Sequence, residues 1–368
     1  MGRPVRLEWV KRRWFCPNLD CVVRTWTEVA DHIVSARQVM TRRAGMWATL
    51  QVGRAGRTVA DVAQELGCDW HTVNDTVVAW GTALLAADVD RIGACSALGL
   101  DETSFVRRGR FKTMQWATTI YDVGGGRLLD VVEGRSGTGP TAWLRNQGRV
   151  WLDQIRWATL DMSGGYRAVF EAVVPHAGLV ADQFHVVKLA NQALDEVRRR
   201  VQNATLGHRG RKHDPLFRSR RLLVMAEEHH SAESMLKMRS LIAAGDPAGE
   251  VRDAWLAKEA VRSIYTQRHP DTALAEVIDI GDDLAHGDWP PEIARLGRTI
   301  LRWAEPIANW HLSGLTNAGT EAANNLIKRT KRIGFGFRNF RNYRIRILLY
   351  AGRPNWALLD TINPAQIR

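Results

Sequence analysis

Residues 97–182 constrain the fold more than any other part of the chain, because short strand-like runs alternate there with helical stretches. The strand-like runs are residues 97–101, 112–121, 127–132, 155–161 and 178–182. Three glycines at 124–126 predict a hairpin turn between the second and third runs, and helical patterns lie around 138–147 and 166–174. The order β-β-β-α-β-α-β predicts an α/β domain with a mixed sheet.

Three of these runs end in an acidic residue, namely Asp101, Asp161 and Asp182. Sites in sheets of this kind lie at the carboxyl ends of the strands. Carboxylates there, joined by one from a helix, suit Mg²⁺ or Mn²⁺, which prefer oxygen ligands. Glu321 fits the helical position, because it opens a later helical pattern that carries several cations. Each acid alone is more simply interpreted as a solvated turn residue or a helix cap, but the combination favours a metal site.

Residues 57–80 have the pattern of a helix-turn-helix. Thr58 is a candidate N-cap, and apolar residues follow it at helical spacing until Gly67 interrupts the helix. Asp69 is the candidate cap of the second helix. That helix is predicted to expose toward a major groove the side chains of Trp70, His71, Asn74 and Asp75. An ordinary helical hairpin satisfies the same spacing.

The chain of 368 residues has a formal net charge of +12, and the excess is concentrated in two stretches. Residues 198–221 contain nine Lys and Arg with one acid, and residues 318–346 contain eight with one acid. Concentrated positive charge, interleaved with aromatic residues in the second stretch, is typical of proteins that bind nucleic acid. The alternative interpretation is two solvated helix faces.

The composition, 45% hydrophobic and 24% charged, is that of a globular protein and excludes a disordered chain, a collagen-like fibre or a disulfide scaffold. No uncharged apolar run reaches the roughly 18 residues that a membrane helix needs. The N-terminus has no apolar segment typical of a secretory signal. Four cysteines in a chain of this length favour a reducing compartment. We therefore expect a cytoplasmic protein without a membrane partner.

Cys16 and Cys21 flank a predicted tight turn that contains Pro17 and Asn18, as in one knuckle of a zinc ribbon. Tetrahedral zinc needs four ligands, and no Cys or His precedes Cys16. His32 is a later candidate ligand, as is Cys68, but neither has knuckle spacing. The sequence thus predicts half of a ribbon, in which zinc is absent or substoichiometric.

Three long motifs follow the helix-turn-helix pattern in order. They are GLDETSF, then LDMSGGYRAVF continued by VPHAGLVADQFHVVKLANQALDEVR, then TEAANNLIKRTKRIGFGFRNFRNYRIRILL. Together they strongly resemble the bacterial DDE insertion-sequence transposases, and more narrowly the ISL-three group, which has a zinc ribbon and a helix-turn-helix ahead of the catalytic domain. The resemblance extends over residues 12–352 and is weakest in 220–300.

The resemblance implies a ribonuclease H-like catalytic domain that binds two Mg²⁺ or Mn²⁺ ions. Asp101 matches the first catalytic aspartate, Asp161 the second and Glu321 the glutamate. Asp182 and His185 match a D-x-F-H segment near the active site, so Asp182 is the reserve candidate for the second aspartate. The chain departs from the family in lacking the first Cys pair of the ribbon, in having Ala322 where a Gly is common and in having Gln183 where an Arg is common.

These observations predict an all-α helix-turn-helix region followed by an α/β, ribonuclease H-like mixed-sheet domain with a helical insertion. The expected boundaries are 1–25 for the ribbon-like segment, 26–92 for the helix-turn-helix region, 93–190 with 311–352 for the catalytic domain, 191–310 for the insertion and 353–368 for a tail. The long separation between Asp161 and Glu321 requires the insertion.

The function expected from the resemblance is a transposase that binds the terminal inverted repeats of an insertion sequence. It would cleave strands and join them to target DNA, as a homo-oligomer on double-stranded DNA in the bacterial nucleoid. The candidate DNA-binding residues are Trp70, His71, Asn74, Asn324, Lys328, Lys331, Arg332, Arg338 and Arg341. One alternative is a helix-turn-helix regulator derived from a transposase that no longer cuts. Another is a metal-dependent nuclease such as a junction resolvase, which needs neither the helix-turn-helix nor the insertion.

Overall fold

The structure is a computed structural model that describes residues 5–34, 38–266 and 268–364. The first four residues of the predicted segment 1–25 and the last four of the predicted tail lie outside the described residues. The chain folds as two compact units. Unit 1 comprises residues 1–95, 101–143 and 319–368, and unit 2 comprises residues 96–100 and 144–318. None of the helices in the described ranges is both long enough and apolar enough to cross a membrane.

Unit 1 begins with a small antiparallel hairpin of β1 (Arg13–Phe15) and β2 (Thr25–Thr27). Three helices follow, namely α1 (Arg42–Thr49), α2 (Val59–Leu66) and α3 (Trp70–Ala87). The predicted caps are confirmed, because Thr58 Oγ1 accepts a hydrogen bond from the Asp61 N–H at 3.0 Å and Asp69 Oδ1 accepts one from the Thr72 N–H at 3.0 Å. Apolar residues of all three helices share one buried core.

The sheet contains β3 (Ala97–Arg108), β4 (Thr113–Asp122), β5 (Arg127–Glu133), β6 (Trp157–Leu160) and β7 (Gly178–Ala181). Its strand order is β5-β4-β3-β6-β7. Strands β4 and β5 are antiparallel, whereas β6 runs parallel to both β7 and the first residues of β3. The helices between the strands are α4 (Thr138–Arg145), α5 (Arg149–Leu152) and α6 (Gly164–Val173). The predicted mixed sheet and the predicted order of strands and helices along the chain are confirmed.

Strand β3 is longer than the sequence predicted. The predicted strand ended at Asp101, but β3 continues to Arg108, so Asp101 lies within it. The extension forms because Thr103 and Phe105 are buried at alternate positions, which gives the segment the two-residue period of a half-buried strand. The parallel partner β6 ends at Leu160, opposite Leu100, so the pairing with β6 stops one residue before Asp101.

Between β7 and the Glu321 helix, unit 2 is helical, as predicted for the insertion. Its helices are α7 (Gln183–Leu206), α8 (Pro215–Leu223), α9 (Ala232–Gly245), α10 (Glu250–Ser263), α11 (Ala273–His286), α12 (Pro291–Arg302) and α13 (Ala304–Ser313). The chain then forms α14 (Ala318–Ile333) and α15 (Phe340–Ala351). In unit 1, buried residues of α14 and α15 pack against Phe105 of β3 and Leu128 of β5.

Candidate active site

Three aligned strand positions in the sheet are each followed by an aspartate. Leu100 pairs with Leu160, and Leu160 pairs with Ala181. The next residues are Asp101, Asp161 and Asp182. Strands β3, β6 and β7 are parallel here, so all three acids follow the same level of the sheet. The predicted strand-end arrangement is therefore present for Asp161 and Asp182, while Asp101 stays within β3.

In unit 1, the Asp101 carboxylate is held by its own strand and by α14. Its Oδ1 accepts a hydrogen bond from the Glu102 N–H at 2.7 Å, and its Oδ2 accepts one from Asn324 Nδ2 at 2.6 Å. Asn324 Oδ1 in turn accepts a hydrogen bond from the Thr119 hydroxyl at 2.7 Å. Glu321 is partly buried one helical turn before Asn324. The chain Thr119–Asn324–Asp101 thus fixes α14 against β3 and β4.

The sequence predicted Asn324 as a DNA contact, but the structure buries it between Asp101 and Thr119. Asn324 is buried because it lies on the packed face of α14. The buried residues of that face include Thr320, Ala323, Asn324 and Ile327. Neither Thr119 nor the positioning role of Asn324 was found from the sequence. The only signal was the amide at the helical spacing of the apolar residues Ala323 and Ile327.

In unit 2, Asp161 has a carboxylate oxygen without a partner. Its Oδ1 is buried and makes no hydrogen bond within the described residues. Burial raises the pKa of Asp161, and the nearby cations His185 and Lys188 only partly oppose this shift. Buried polar atoms in native proteins are nearly always satisfied, so an orphaned carboxylate oxygen calls for a ligand that the protein itself does not supply.

Asp182 is better satisfied, although only 3% of it is exposed. Its Oδ2 lies 3.1 Å from His185 Nδ1, and its Oδ1 accepts a hydrogen bond from the Asn317 N–H at 2.9 Å. Burial alone would raise the pKa of Asp182, but the hydrogen bonds from His185 and Asn317 outweigh it and lower this pKa. The hydrogen bond to Asp182 raises the pKa of His185, against the opposing effect of burial. Sequence reasoning missed Asn317, which immediately precedes α14.

The cations of residues 318–346 differ in their availability to a ligand. Lys331 Nζ donates to the Ser104 carbonyl at 2.9 Å, and burial lowers its pKa. Arg344 makes two hydrogen bonds of 2.6 Å to the buried Asp130 carboxylate. The predicted DNA-binding cations that are exposed are Lys328, Arg332, Arg338 and Arg341.

The other basic stretch, residues 198–221, begins with three arginines that form ion pairs in unit 2. Arg198 and Arg199 contact Asp195 at 2.6 and 2.5 Å. Arg200 bridges Glu250 and Glu292 at 2.5 and 2.7 Å. The pairs with Asp195 lie within α7, whereas Arg200 joins α7 to α10 and α12, so these three arginines serve the helices of the insertion.

The first helical turns of α3 present to solvent three of the four side chains that were predicted to face a major groove. Trp70 is 46% exposed, and His71 and Asp75 are also exposed. The expectation that Asn74 is exposed is wrong, because only 7% of it is accessible and its Nδ2 donates to Asp75 Oδ1 at 3.1 Å. Asn74 follows Val73 and precedes the buried Thr76 and Val77, which places it on the packed side of α3.

Cys16 and Cys21 lie in the connection between β1 and β2, as expected for a knuckle hairpin. The Cys16 N–H donates to the Arg24 carbonyl at 2.9 Å, and the Cys21 N–H donates to the Asn18 carbonyl at 3.3 Å. Both cysteines are free and partly exposed. Zinc binding at this pair stays a prediction.

Comparisons with known proteins agree on one family. A family model described as "Transposase", for the ISL-three group of DDE transposases, matches residues 98–347. The transposase for insertion sequence element IS1557 of Mycobacterium tuberculosis is 25% identical over 289 residues, which cover 73% of this chain and 63% of that protein. The transposase for IS1001 of Bordetella parapertussis is 24% identical over 301 residues, covering 78% and 68%. The chain thus spans less than two thirds of the first relative.

A solved structure, the Drosophila P element transposase strand transfer complex, aligns with 87% of this chain and 94% of its own. The TM-score is 0.42 and the sequence identity is 10%.

Proposed function

This chain belongs to the ISL-three family of DDE transposases, and from that membership we propose that it binds the terminal inverted repeats of an insertion sequence and catalyses metal-dependent cleavage and transfer of DNA strands. The observation that carries the proposal is the aspartate that follows each of Leu100, Leu160 and Ala181 in register across parallel strands. Aspartates that served only as turn residues or helix caps would not need to occur at aligned positions of neighbouring strands.

The proposed catalytic carboxylates are Asp101, Asp161 and Glu321, with Asp182 in reserve. A local contact in unit 1 supports Glu321 as a member of this set. Asn324, one turn after Glu321, donates a hydrogen bond to Asp101. The helix that carries Glu321 is therefore tied to an acid of the set.

The donor set fits a hard divalent cation. It consists of carboxylate oxygens, the preferred ligands of Mg²⁺ and Mn²⁺, and it includes the buried Asp161 Oδ1 that has no hydrogen-bond partner among the described residues. The chemistry that two such ions supply when bound is activation of the attacking oxygen and stabilisation of the leaving oxygen.

The protein's own groups would position the reactants. Asn324 fixes one oxygen of Asp101, and His185 fixes one oxygen of Asp182, so neither carboxylate rotates freely. The exposed cations Lys328 and Arg332 would bind DNA phosphates beside the carboxylates. Trp70 and His71 at the start of α3 would read the DNA ends.

Two further parts of the proposal concern assembly and location. Two ends of an element must be brought together, so we propose a homo-oligomer on DNA. We also propose that the protein acts in the bacterial cytoplasm, where its DNA substrate is.

The alternative is a DNA-binding regulator derived from a transposase, which binds the ends without cutting them. The discriminating experiment incubates the purified chain with DNA that carries the element ends, with Mg²⁺ or with EDTA. The transposase predicts nicks at the ends and joined products that require Mg²⁺ and disappear with EDTA. Sequence-specific binding with intact DNA in both conditions would favour the regulator. Cleavage of branched DNA of any sequence would favour the nuclease.

A further inference from the structure

Unit 1 contains a groove of about 330 Å³, and no role has yet been given to Arg346, the buried cation in its lining. Its walls come from four parts of the unit, which are the start of α2 at residues 58–60, the first turns of α3 at Trp70, the end of α14 with the segment after it at residues 333–339, and α15 at Arg346. Phe335, at the rim, is 92% exposed.

Arg346 is a buried cation that forms no ion pair with any acid in the described part of the chain. Only 4% of the residue is exposed, and its Nε is buried with no hydrogen bond to any described residue. Burial lowers the pKa of Arg346 to about 10, so the guanidinium remains charged at neutral pH. The guanidinium carbon lies 5.9 Å from the centroid of the Phe337 ring. A buried charge that lacks a counter-ion destabilises a protein, and an anionic ligand would remove this penalty.

The rest of the groove also favours an anion. Its lining, within the described residues, includes no carboxylate. The N-terminal ends of two helices open into it, α2 at Thr58 and α15 at Asn339. Each cap side chain satisfies one N–H group, those of Asp61 and Asn342. The remaining first-turn N–H groups and the helix dipoles attract negative charge.

We propose that this groove binds a backbone phosphodiester of the DNA substrate, with Arg346 as the buried anchor and with Trp70 and Phe335 against the adjoining sugar or base. The inference rests on the proposed function, because it takes DNA as the ligand. A DNA strand fits better than a free anion, since aromatic side chains at the mouth of the groove offer stacking surface that a free phosphate cannot use. One phosphate would then contact both the helix-turn-helix pattern and the segment that follows the Glu321 helix.

The test compares Arg346→Met with Arg43→Met, which removes an exposed arginine of α1 outside the groove and outside both basic stretches. The affinity of each protein for a short labelled duplex of mixed sequence, and for one carrying the element ends, is measured by fluorescence anisotropy over a range of KCl concentrations. Loss of one phosphate contact should flatten the slope of log K against log salt by about 0.9, which weakens binding about eightfold near 0.1 M salt. Arg43→Met should keep the wild-type slope.

Thermal unfolding of the free proteins separates this role from a structural one. Arg346→Met removes an unpaired buried charge and keeps an apolar stem of similar volume, so its unfolding temperature should equal or exceed that of wild type. If this variant does not fold, Arg346→Gln replaces it. Phe335→Ser changes an exposed side chain, so folding is not at stake, and it should weaken binding severalfold with an unchanged salt slope.

The proposed role of the groove would be contradicted if the Arg346 variant kept the wild-type affinity and the wild-type slope of log K against log salt, and if Phe335→Ser also kept the wild-type affinity. The proposed function would remain intact in that case. A wild-type chain that binds neither duplex would overturn both.

Discussion

Asn324 shows how a single buried amide can organise a site made of acids. It donates to Asp101 at 2.6 Å and accepts from Thr119 at 2.7 Å, so it links helix α14 to two strands. A carboxylate held by a neutral donor keeps its negative charge available to a cation. A lysine at this position would neutralise that charge, whereas an amide only orients it. Asn324 is therefore a positioning residue for Asp101.

The first prediction concerns this hydrogen-bonded chain. Asn324→Leu removes both hydrogen bonds and should lower the free energy of unfolding by about 1–3 kcal/mol, because polar groups lose their partner inside the protein. It should also lower the rate of strand cleavage, since Asp101 loses its fixed orientation. Urea unfolding and the cleavage assay measure the two effects.

Thr119→Val is the graded control. It removes only the outer hydrogen bond and keeps the one between Asn324 and Asp101, so stability should fall by about 1 kcal/mol while cleavage stays near wild type. Equal cleavage in Asn324→Leu and Thr119→Val would show that Asn324 does not position Asp101.

The turn between α2 and α3 depends on one backbone conformation. Gly67 ends α2 in the left-handed region with a φ of 65°, and its N–H donates to the carbonyls of the last turn of α2. An added Cβ there would meet no atom within 4 Å. Any effect of a side chain at this position is therefore conformational, and not a steric clash.

We predict that Gly67→Ala lowers the free energy of unfolding by about 1 kcal/mol, because a residue with a Cβ disfavours the left-handed region. Gly67→Asn should have a smaller effect. The matched control is Gly164→Ala at the first residue of α6, where a Cβ also meets nothing within 4 Å but the backbone is helical. Chemical denaturation should find this control neutral or slightly stabilising. Equal losses at both glycines would contradict the conformational explanation.

Helix α14 carries cations of two kinds, and this leads to a prediction about salt dependence. Lys328 is exposed, whereas Lys331 is half-buried and bound to the Ser104 carbonyl. Lys328→Gln should flatten the slope of log K against log salt by about 0.9, with little change in stability. Lys331→Gln should flatten the slope less and destabilise the protein more. Anisotropy titrations and urea unfolding test both, and identical slopes in the two variants would be the contrary result.

Across the whole molecule, patterns of local origin were predictable from the sequence. The order of strands and helices along the chain, the caps at Thr58 and Asp69 and the break at Gly67 depend on neighbouring residues, and the structure confirms them. The aspartates after the apolar runs were also visible, because a strand end is a local feature.

Features that depend on packing were not predictable. Asn74 and Asn324 are polar residues on helices with cationic or aromatic neighbours, and the sequence alone indicated exposure. Their burial follows from which helix face meets the rest of unit 1. For the same reason, the sequence did not predict that Arg346 is buried without an acidic partner among the described residues, since its neighbours in the sequence include other basic residues. Charge patterns locate a basic stretch but do not distinguish a free cation from one that is buried or paired.

The central claim is that Asp101, Asp161 and Glu321 are the catalytic carboxylates, and strand cleavage by charge-removing variants tests it most directly. On DNA that carries the element ends, Asp101→Asn, Asp161→Asn and Glu321→Gln should each abolish cleavage while retaining end binding. Glu133→Gln, an exposed acid at the end of β5, should cleave as wild type does. Cleavage that survives in Asp161→Asn and is lost in Asp182→Asn would move the second role to Asp182. Cleavage that survives in Asp101→Asn or Glu321→Gln would contradict the account.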